Sequence, residues 1–372
     1  MTDIAIIGCG LGGSALSVMM QNSGYNIQIF ERAHAFERMG AGIHLSSNLM
    51  YIMEEIGVTK QLEEKGWKPD GFVSRDAYSN DILNILNLGN EIKALYGVPY
   101  LTIHRSDFHE AMVAKIRTEN IHMGKKLVSA YDDGNKVHLQ FEDGSKYQAD
   151  LVIGADGLAS VVKNNIVDTH LPTYTGQAAF RGLVDVAKLH PQMNDNVNKW
   201  FGRDKKFIIG YYLDQKKTQF YYVAGFSYPS WPTDLSLQSA NKNDVLQAFD
   251  DFHDIPKSML ALTNSVTLWP LHEREPSTTW KKGRLVLIGD ACHPMRPHMM
   301  SGASMAIEDA AVLVKCLKEY GLKHYGDAFE QYQNKRSDRT ALVQKISSAN
   351  TWLKEKTDTD WLFKYNALEV AI

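Results

Sequence analysis

The sequence predicts an α/β fold: a doubly wound, largely parallel sheet that encloses a second, aromatic-rich sheet and ends in helices. Three observations predict it. A G-x-G-x-x-G turn joins a short apolar run to a helical segment, two later apolar runs each end on Gly-x-Asp or Gly-Asp, and the texture changes between about Thr173 and Pro276. The 372 residues, 44% hydrophobic and 22% charged, suffice for more than one core and exclude wholesale disorder.

Asp3 to Ile7 reads as a buried parallel strand, Ser14 to Asn22 as a helix stopping at Gly24, and Asn26 to Phe30 as a second strand ending at Glu31. Asp3 in place of a basic segment, and glycines at 8, 10, 12 and 13, distinguish this start from a secretory signal. Lys136 to Phe141 alternates, Asp143-Gly144 turns it, and Lys146 to Ile153 returns as one strand. Aromatic strands follow at Phe207 to Tyr212 and Gln219 to Phe226, with Pro loops at Pro229 and Pro232. Arg284 to Ile288 is another buried strand, and Gly302 to about Lys356 is mainly helical, with Lys315 to Lys323 and Asp327 to Arg339 as solvated faces.

Forty Lys+Arg against 43 Asp+Glu give a net charge of -3, which offers no electrostatic reason for nucleic acid or anionic membrane as partner. Cys9, Cys292 and Cys316 form neither a disulfide framework nor a zinc ligand set, so no metal is expected. A reducing, cytoplasmic setting is expected, and no apolar run reaches the ~18 residues of a membrane span.

Gly8-Cys9-Gly10-Leu11-Gly12-Gly13 between strand and helix points to a dinucleotide. Glycine permits the tight turn and lets the backbone approach a pyrophosphate, while the helix N-terminus offers free N–H groups. Glu31 stands where an acid holds ribose hydroxyls, followed by Arg32. The turn alone does not separate NAD from FAD. Gly154-Ala155-Asp156-Gly157 and Gly289-Asp290-Ala291-Cys292-His293-Pro294 each place an Asp at a strand end, where open sheets bind ligands. Such an Asp either meets ribityl hydroxyls or holds neighbouring backbone N–H groups.

Together these segments resemble the fingerprints of the class A flavoprotein aromatic monooxygenases, the para-hydroxybenzoate hydroxylase family, over residues 1 to about 350. The resemblance implies a discontinuous Rossmann-like FAD-binding domain (1–172 and 277–350), an inserted mixed β-sheet substrate domain (173–276) and a helical tail (351–372). It implies FAD held by Gly8, Gly10, Gly13, Glu31, Arg32, Gly42, Arg105 in Thr102-Ile103-His104-Arg105, Asp156, Asp290, Gly302 and Ala303. It also implies NADH or NADPH as transient co-substrate without a second Rossmann domain, O2, and a hydroperoxide on the reduced flavin as the hydroxylating species. The Trp-x-Trp-x-Ile-Pro signature of flavin halogenases is absent.

Within the family, Arg38-Met39-Gly40-Ala41-Gly42-Ile43-His44 is similar to the flavin-flanking loop of the salicylate and 6-hydroxynicotinate hydroxylases, and Phe72 to Asp81, Thr102 to Arg105 and Cys292 to His298 are similar to the hydroxylases of 6-hydroxynicotinate. The implied substrate is a small aromatic or pyridine carboxylic acid, with salicylate or 3-hydroxybenzoate as the alternatives and an FAD-bound sensor as the non-catalytic one. An electrophilic oxygen requires an electron-rich, deprotonated ring, so His44, Tyr211 and His298 are the candidates for handling the hydroxyl proton. The pattern of the pyridine enzymes has histidine where this chain has Phe207. A monomer or a homodimer remains open.

Overall fold

The computed structural model describes residues 2–38, 42–166, 172–231 and 238–372. Met39, Gly40 and Ala41 of the expected flavin-flanking loop, and Pro232, lie outside the described residues.

Two sheets organise the molecule. The first has the strand order Lys281–Lys282, Leu285–Leu287, Leu151–Gly154, Asp3–Ile7, Asn26–Phe30, Ile121–His122, parallel except at the Lys281 edge. Ile4, Ala5 and Ile6 are fully buried, as expected of a strand with an apolar run covered on both faces. The helix Leu11–Asn22 packs against the helix Gly302–Tyr320, and Gly12 allows their close approach: an added Cβ would lie 3.1 Å from Ala306 Cβ.

The second sheet has eight strands in the order Gln238–Ser239, Thr263–Glu273, Thr173–Val184, Phe220–Ser227, Phe207–Tyr212, Asn196–Phe201, Gly71–Asp76, Ile82–Asn87. It is mixed, because Asn196–Phe201 runs parallel to Gly71–Asp76 while its other pairings are antiparallel. Residues 71–87 thus join a sheet whose other strands lie some hundred or more positions further along.

Three expectations are corrected. Lys146 to Ile153 is not one strand: Lys146–Ala149 pairs in a small antiparallel sheet and Leu151–Gly154 in the first sheet. Asp150 marks the break, its carboxylate accepting from the Asp3 N–H at 2.8 Å and from Lys136 Nζ at 2.7 Å. The final long helix, Tyr325–Ala349, stops short of Lys356, because Asn350 takes a left-handed φ of 53°. Beyond it only Asp360–Phe363 is helical. The tail is held by burial of Trp352, Leu353, Leu362 and Phe363 at irregular spacing.

The third correction concerns Asp327 to Arg339, whose charges are not all solvated. Arg336 is fully buried, donating to Asp309 at 2.7 Å and Glu308 at 2.6 Å. Arg339 and Asn48 also donate to Glu308. Asp309 accepts the Gly289 N–H at 2.9 Å and pairs with His293. Burial would raise the Asp309 carboxyl, yet His293 and Arg336 hold it down to about 2. This buried network ties both long helices to the turn before Asp290.

Candidate functional site

The first strand ends at Gly8, whose φ of +96° suits glycine; an added Cβ would lie 2.5 Å from the Ala155 carbonyl oxygen. Gly10 is the N-cap of the following helix and has no atom within 4 Å of an added Cβ, whereas a Cβ on Gly13 would overlap the Gly8 carbonyl. Glu31 ties the turn down: one carboxylate oxygen accepts from the Cys9 N–H at 2.7 Å, the other from Ala33 N–H at 2.9 Å.

A cavity of about 390 Å³ opens from this turn and ends on the second sheet. At one end it is lined by Gly10 to Gly13 and by Gly302 and Ala303, so the N-termini of two helices converge on it. Their first N–H groups lack partners within the helix and their dipole ends favour negative charge. Arg105 and Asp290 line the middle, with Arg181 nearby. Burial lowers the Arg105 guanidinium, and Arg181 lowers it further, while Asp290 opposes both.

The far wall is the sheet face. Phe207, Ile209 and Tyr211 alternate on one strand, and Tyr221 and Val223 oppose them on the next. Gly42 is laid on this wall: an added Cβ would lie 2.6 Å from Tyr221 and 2.7 Å from Tyr211 ring atoms. His44 lies edge-on to Tyr211, with 4.2 Å between centroids, and its Nδ1 is 2.7 Å from the Tyr100 hydroxyl. Its Nε2 is buried without a partner among the described residues. Burial, and then the charge of Lys199, drive the His44 imidazole down to about 3, so the ring is neutral at pH 7. Burial raises the Tyr211 phenol well above its ordinary range.

Of the residues singled out from sequence, Gly10, Gly13, Gly42, His44, Arg105, Tyr211, Asp290, Gly302 and Ala303 line this cavity. Gly8 and Glu31 shape its mouth. Arg32 is exposed and not among the lining residues. Asp156 turns to its own loop, accepting from Ser160 at 2.6 Å and from the Val161 N–H at 2.7 Å, and Ala155 and Gly157 line the cavity in its place. His298 stands one residue removed: its Nδ1 donates to the Ser347 carbonyl at 2.8 Å and its ring lies edge-on to Phe207 at 4.9 Å. Burial, and then Lys199, bring His298 to about 3 as well.

Sequence reasoning missed Arg181, Tyr100 and Lys199, and read Tyr221 as sheet core on a strand with one face available to the substrate. Arg181 lines the cavity with a buried Nε that lacks a partner among the described residues, its guanidinium 4.2 Å from the Trp269 ring centroid. The signal available was period two: Arg181 interrupts the buried run Ala178 to Val184. Cys292, within reach of His293 and Asp309, is buried, and its thiol donates to the Gly289 carbonyl. Asp309 already serves three donors, so this cluster packs the turn.

The residues present fit FAD. Two helix N-termini and Arg105 suit a pyrophosphate, the glycines that admit no Cβ or leave open space suit close backbone approach, and the apolar wall suits a flat ring. A family model described as an FAD binding domain matches residues 1–347. The 6-hydroxynicotinate 3-monooxygenase of Bordetella bronchiseptica is 39% identical, over 98% of this chain and 95% of that protein. The enzyme of the same description from Pseudomonas fluorescens is 38% identical, over 99% and 96%. A solved structure described as a salicylate hydroxylase substrate complex matches with a TM-score of 0.82 at 26% identity, over 98% of this chain and 96% of that one. The chain belongs to the FAD binding domain family, as one of its FAD-dependent aromatic monooxygenases.

Proposed function

We propose that the chain uses reduced pyridine nucleotide and O2 to hydroxylate a hydroxylated ring acid, with 6-hydroxynicotinate as substrate and 2,5-dihydroxypyridine as product. The ring carboxyl then leaves as carbon dioxide, one oxygen atom takes its place and the other leaves as water, with two electrons coming from the nicotinamide. The observation that carries this reading is a single cavity running from the glycine turn to an aromatic sheet face that bears His44 and Arg181. The second sheet, 173–276 with 71–87, is the substrate domain in this reading, and 1–70, 88–172 and 277–350 hold the cofactor.

FAD bound along the glycine turn would supply the electron exchange with nicotinamide and the activation of O2. Gly8, Gly10 and Gly13 would admit its pyrophosphate, with Arg105 neutralising charge and Asp290 meeting the ribityl hydroxyls. Glu31 has lone pairs left for ribose hydroxyls beyond its two backbone bonds. Gly302 and Ala303 would direct helix N–H groups at the ring edge. Asp156 keeps its loop in place, and Arg32 serves at most the exposed adenosine end.

Arg181 offers positive charge to the substrate carboxylate. Phe207, Ile209, Val223 and Met300 exclude water from the ring. His44 orients the ring oxygen: with Nδ1 accepting from the Tyr100 hydroxyl, the Nε2–H donates to the deprotonated ring oxygen. A pKa of about 3 makes it a poor store for a proton, so its role is alignment. Tyr211 buttresses His44, and His298 supports the wall through Phe207.

A second reading has its own observation. Phe207 offers no hydrogen bond to a ring nitrogen, which favours a carbocyclic acid such as salicylate or 3-hydroxybenzoate. NADH oxidation measured with each acid, with product and peroxide quantified, separates the readings. Stimulation and product with 6-hydroxynicotinate support the first. Stimulation only by a benzoate supports the second, and none with any acid points to a sensor.

A further inference from the structure

Lys199 lies in the strand Asn196–Phe201 and is fully buried. The sheet register places it in a cross-strand row: Arg181 opposite Val223, Val223 opposite Ile209, Ile209 opposite Lys199. Directly opposed residues point to the same face of a sheet. Arg181, Val223 and Ile209 line the cavity, so Lys199 stands on the same face of the sheet at the other end of the row, not itself a lining residue but with its ammonium against the lining Phe207 ring. With neighbouring strands about 4.8 Å apart, the two basic positions stand about 14 Å apart across an apolar floor.

The Lys199 ammonium donates to the His298 carbonyl at 3.0 Å and to Asn350 Oδ1 at 2.9 Å, and lies 4.4 Å from the Phe201 ring centroid and 5.5 Å from that of Phe207. Among the described residues, no carboxylate forms an ion pair with it. The titratable groups that feel the Lys199 charge are His298, from the loop before the helix Gly302–Tyr320, and His44, from the strand Gly42–Leu45; His298 also feels Arg296 and Lys205. Glu273, the acid on that loop's arginine, is engaged by Arg296 and Ser348. Burial lowers Lys199 to about 7, so its charge is available at neutral pH and sensitive to a new neighbour. A buried cation faced by neutral histidines and carbonyls lacks only an anion.

We propose that Lys199 is a positioning residue of the hydroxylation site, whose buried positive charge is balanced by the ring oxyanion of the substrate and holds that hydroxyl deprotonated at the His44–Phe207 end of the cavity. The substrate O–H bond breaks: where Lys199 is already an ammonium the proton passes to solvent, and where it is a neutral amine the proton passes to Nζ, so the bound pair is oxyanion and ammonium in either case. The deprotonated ring is the electron-rich form that an electrophilic oxygen requires. This rests on the reading of a hydroxylated ring acid as substrate.

The test is an absorbance titration of 6-hydroxynicotinate, salicylate and 3-hydroxybenzoate into the FAD-loaded protein, from about pH 6 to about pH 9, with the wild type, Lys199→Met and Lys199→Arg. The wild type is expected to show the anionic spectrum of the bound acid below the pH at which the free acid ionises, with proton release on binding in weakly buffered solution near pH 6 that fades as the pH rises past about 7. In Lys199→Met the ionisation of the bound acid is expected to move up by about one pH unit, about tenfold less anion at a given pH, and kcat to fall alongside it. FAD affinity is expected to stay unchanged, and Lys199→Arg to restore the anionic spectrum. An unchanged bound spectrum in a folded, FAD-loaded Lys199→Met overturns the role of Lys199 and leaves the substrate reading standing. Should that variant not fold, a wild type that binds the acid without an anionic spectrum or proton release overturns it equally. Failure of the wild type to bind any ring acid overturns both.

Discussion

Gly10→Ala separates cofactor recognition from folding. Gly10 has φ -72°, which alanine adopts freely, and an added Cβ meets no protein atom within 4 Å. Losing glycine at an N-cap costs up to about 1 kcal/mol. Spread over the unfolding entropy of 372 residues, at about 2 cal/mol/K each, that lowers Tm by only about 1 °C. The new methyl does project into the cavity mouth where helix N–H groups would meet a pyrophosphate. Displacing one charge-assisted hydrogen bond costs about 1.5–3 kcal/mol, so the Kd for FAD is expected to rise about 10- to 150-fold. Flavin fluorescence titration and thermal melting of the FAD-free protein measure the two effects separately. Gly13→Ala is the control, since its Cβ overlaps the Gly8 carbonyl and destabilises the FAD-free protein itself. A Gly10→Ala protein that binds FAD within about twofold of wild type would refute the placement of the pyrophosphate at this turn.

Other consequences follow from the buried charges and the wall. Arg336→Leu removes the fully buried cation shared by Glu308 and Asp309, leaving Glu308 only Arg339 and Asp309 only His293 as charged partners, so a loss of about 3 kcal/mol is expected by denaturant unfolding, and an unchanged midpoint would deny the network its role. Asp309, held at about 2, contributes stability that is present above the unfolded value near 4 and is lost as pH falls toward 2. His44 and His298, held at about 3, are neutral when folded, and the unfolded chain takes up protons first below about pH 6.5. Stability is therefore expected to decline from about pH 6.5 toward pH 3, and His298→Gln should flatten that limb in pH-dependent melts. His44→Ala is expected to lower coupled hydroxylation about 10- to 100-fold with FAD affinity unchanged, and steady-state kinetics with peroxide analysis would show a failure of this assignment. Arg181→Met is expected to raise KM for the ring acid about tenfold or more with a smaller effect on the corresponding amide, and equal effects on both would remove Arg181 from carboxylate recognition.

The glycine turn, Glu31 and Asp290 were legible because each requirement is local, a turn or a strand end, while Arg105 was legible only through the resemblance of its segment. His44 and Tyr211 were legible only through resemblance, and their meeting at 4.2 Å joins distant parts of the chain. Lys199, in Asn-Lys-Trp, reads as an ordinary surface lysine until the register sets it beside Ile209. Arg336 misled for the same reason, since a charged helix face looks solvated until its partners on a second helix are known. Strands 71–76 and 82–87 joined the second sheet through a parallel pairing across more than a hundred residues, which no local pattern encodes. His298 matched its motif, yet Phe207 stands at the cavity where the histidine was expected to act.

The central claim is that a ring acid held against the Phe207–Tyr211 face receives one atom of O2 at the carbon that bears its carboxylate. Mass spectrometry of the product formed from 6-hydroxynicotinate under isotopically labelled dioxygen tests it most directly. The account expects 2,5-dihydroxypyridine carrying one labelled oxygen, formed in step with NADH consumed and with little peroxide. An unlabelled product, or NADH oxidation yielding only peroxide, would contradict it.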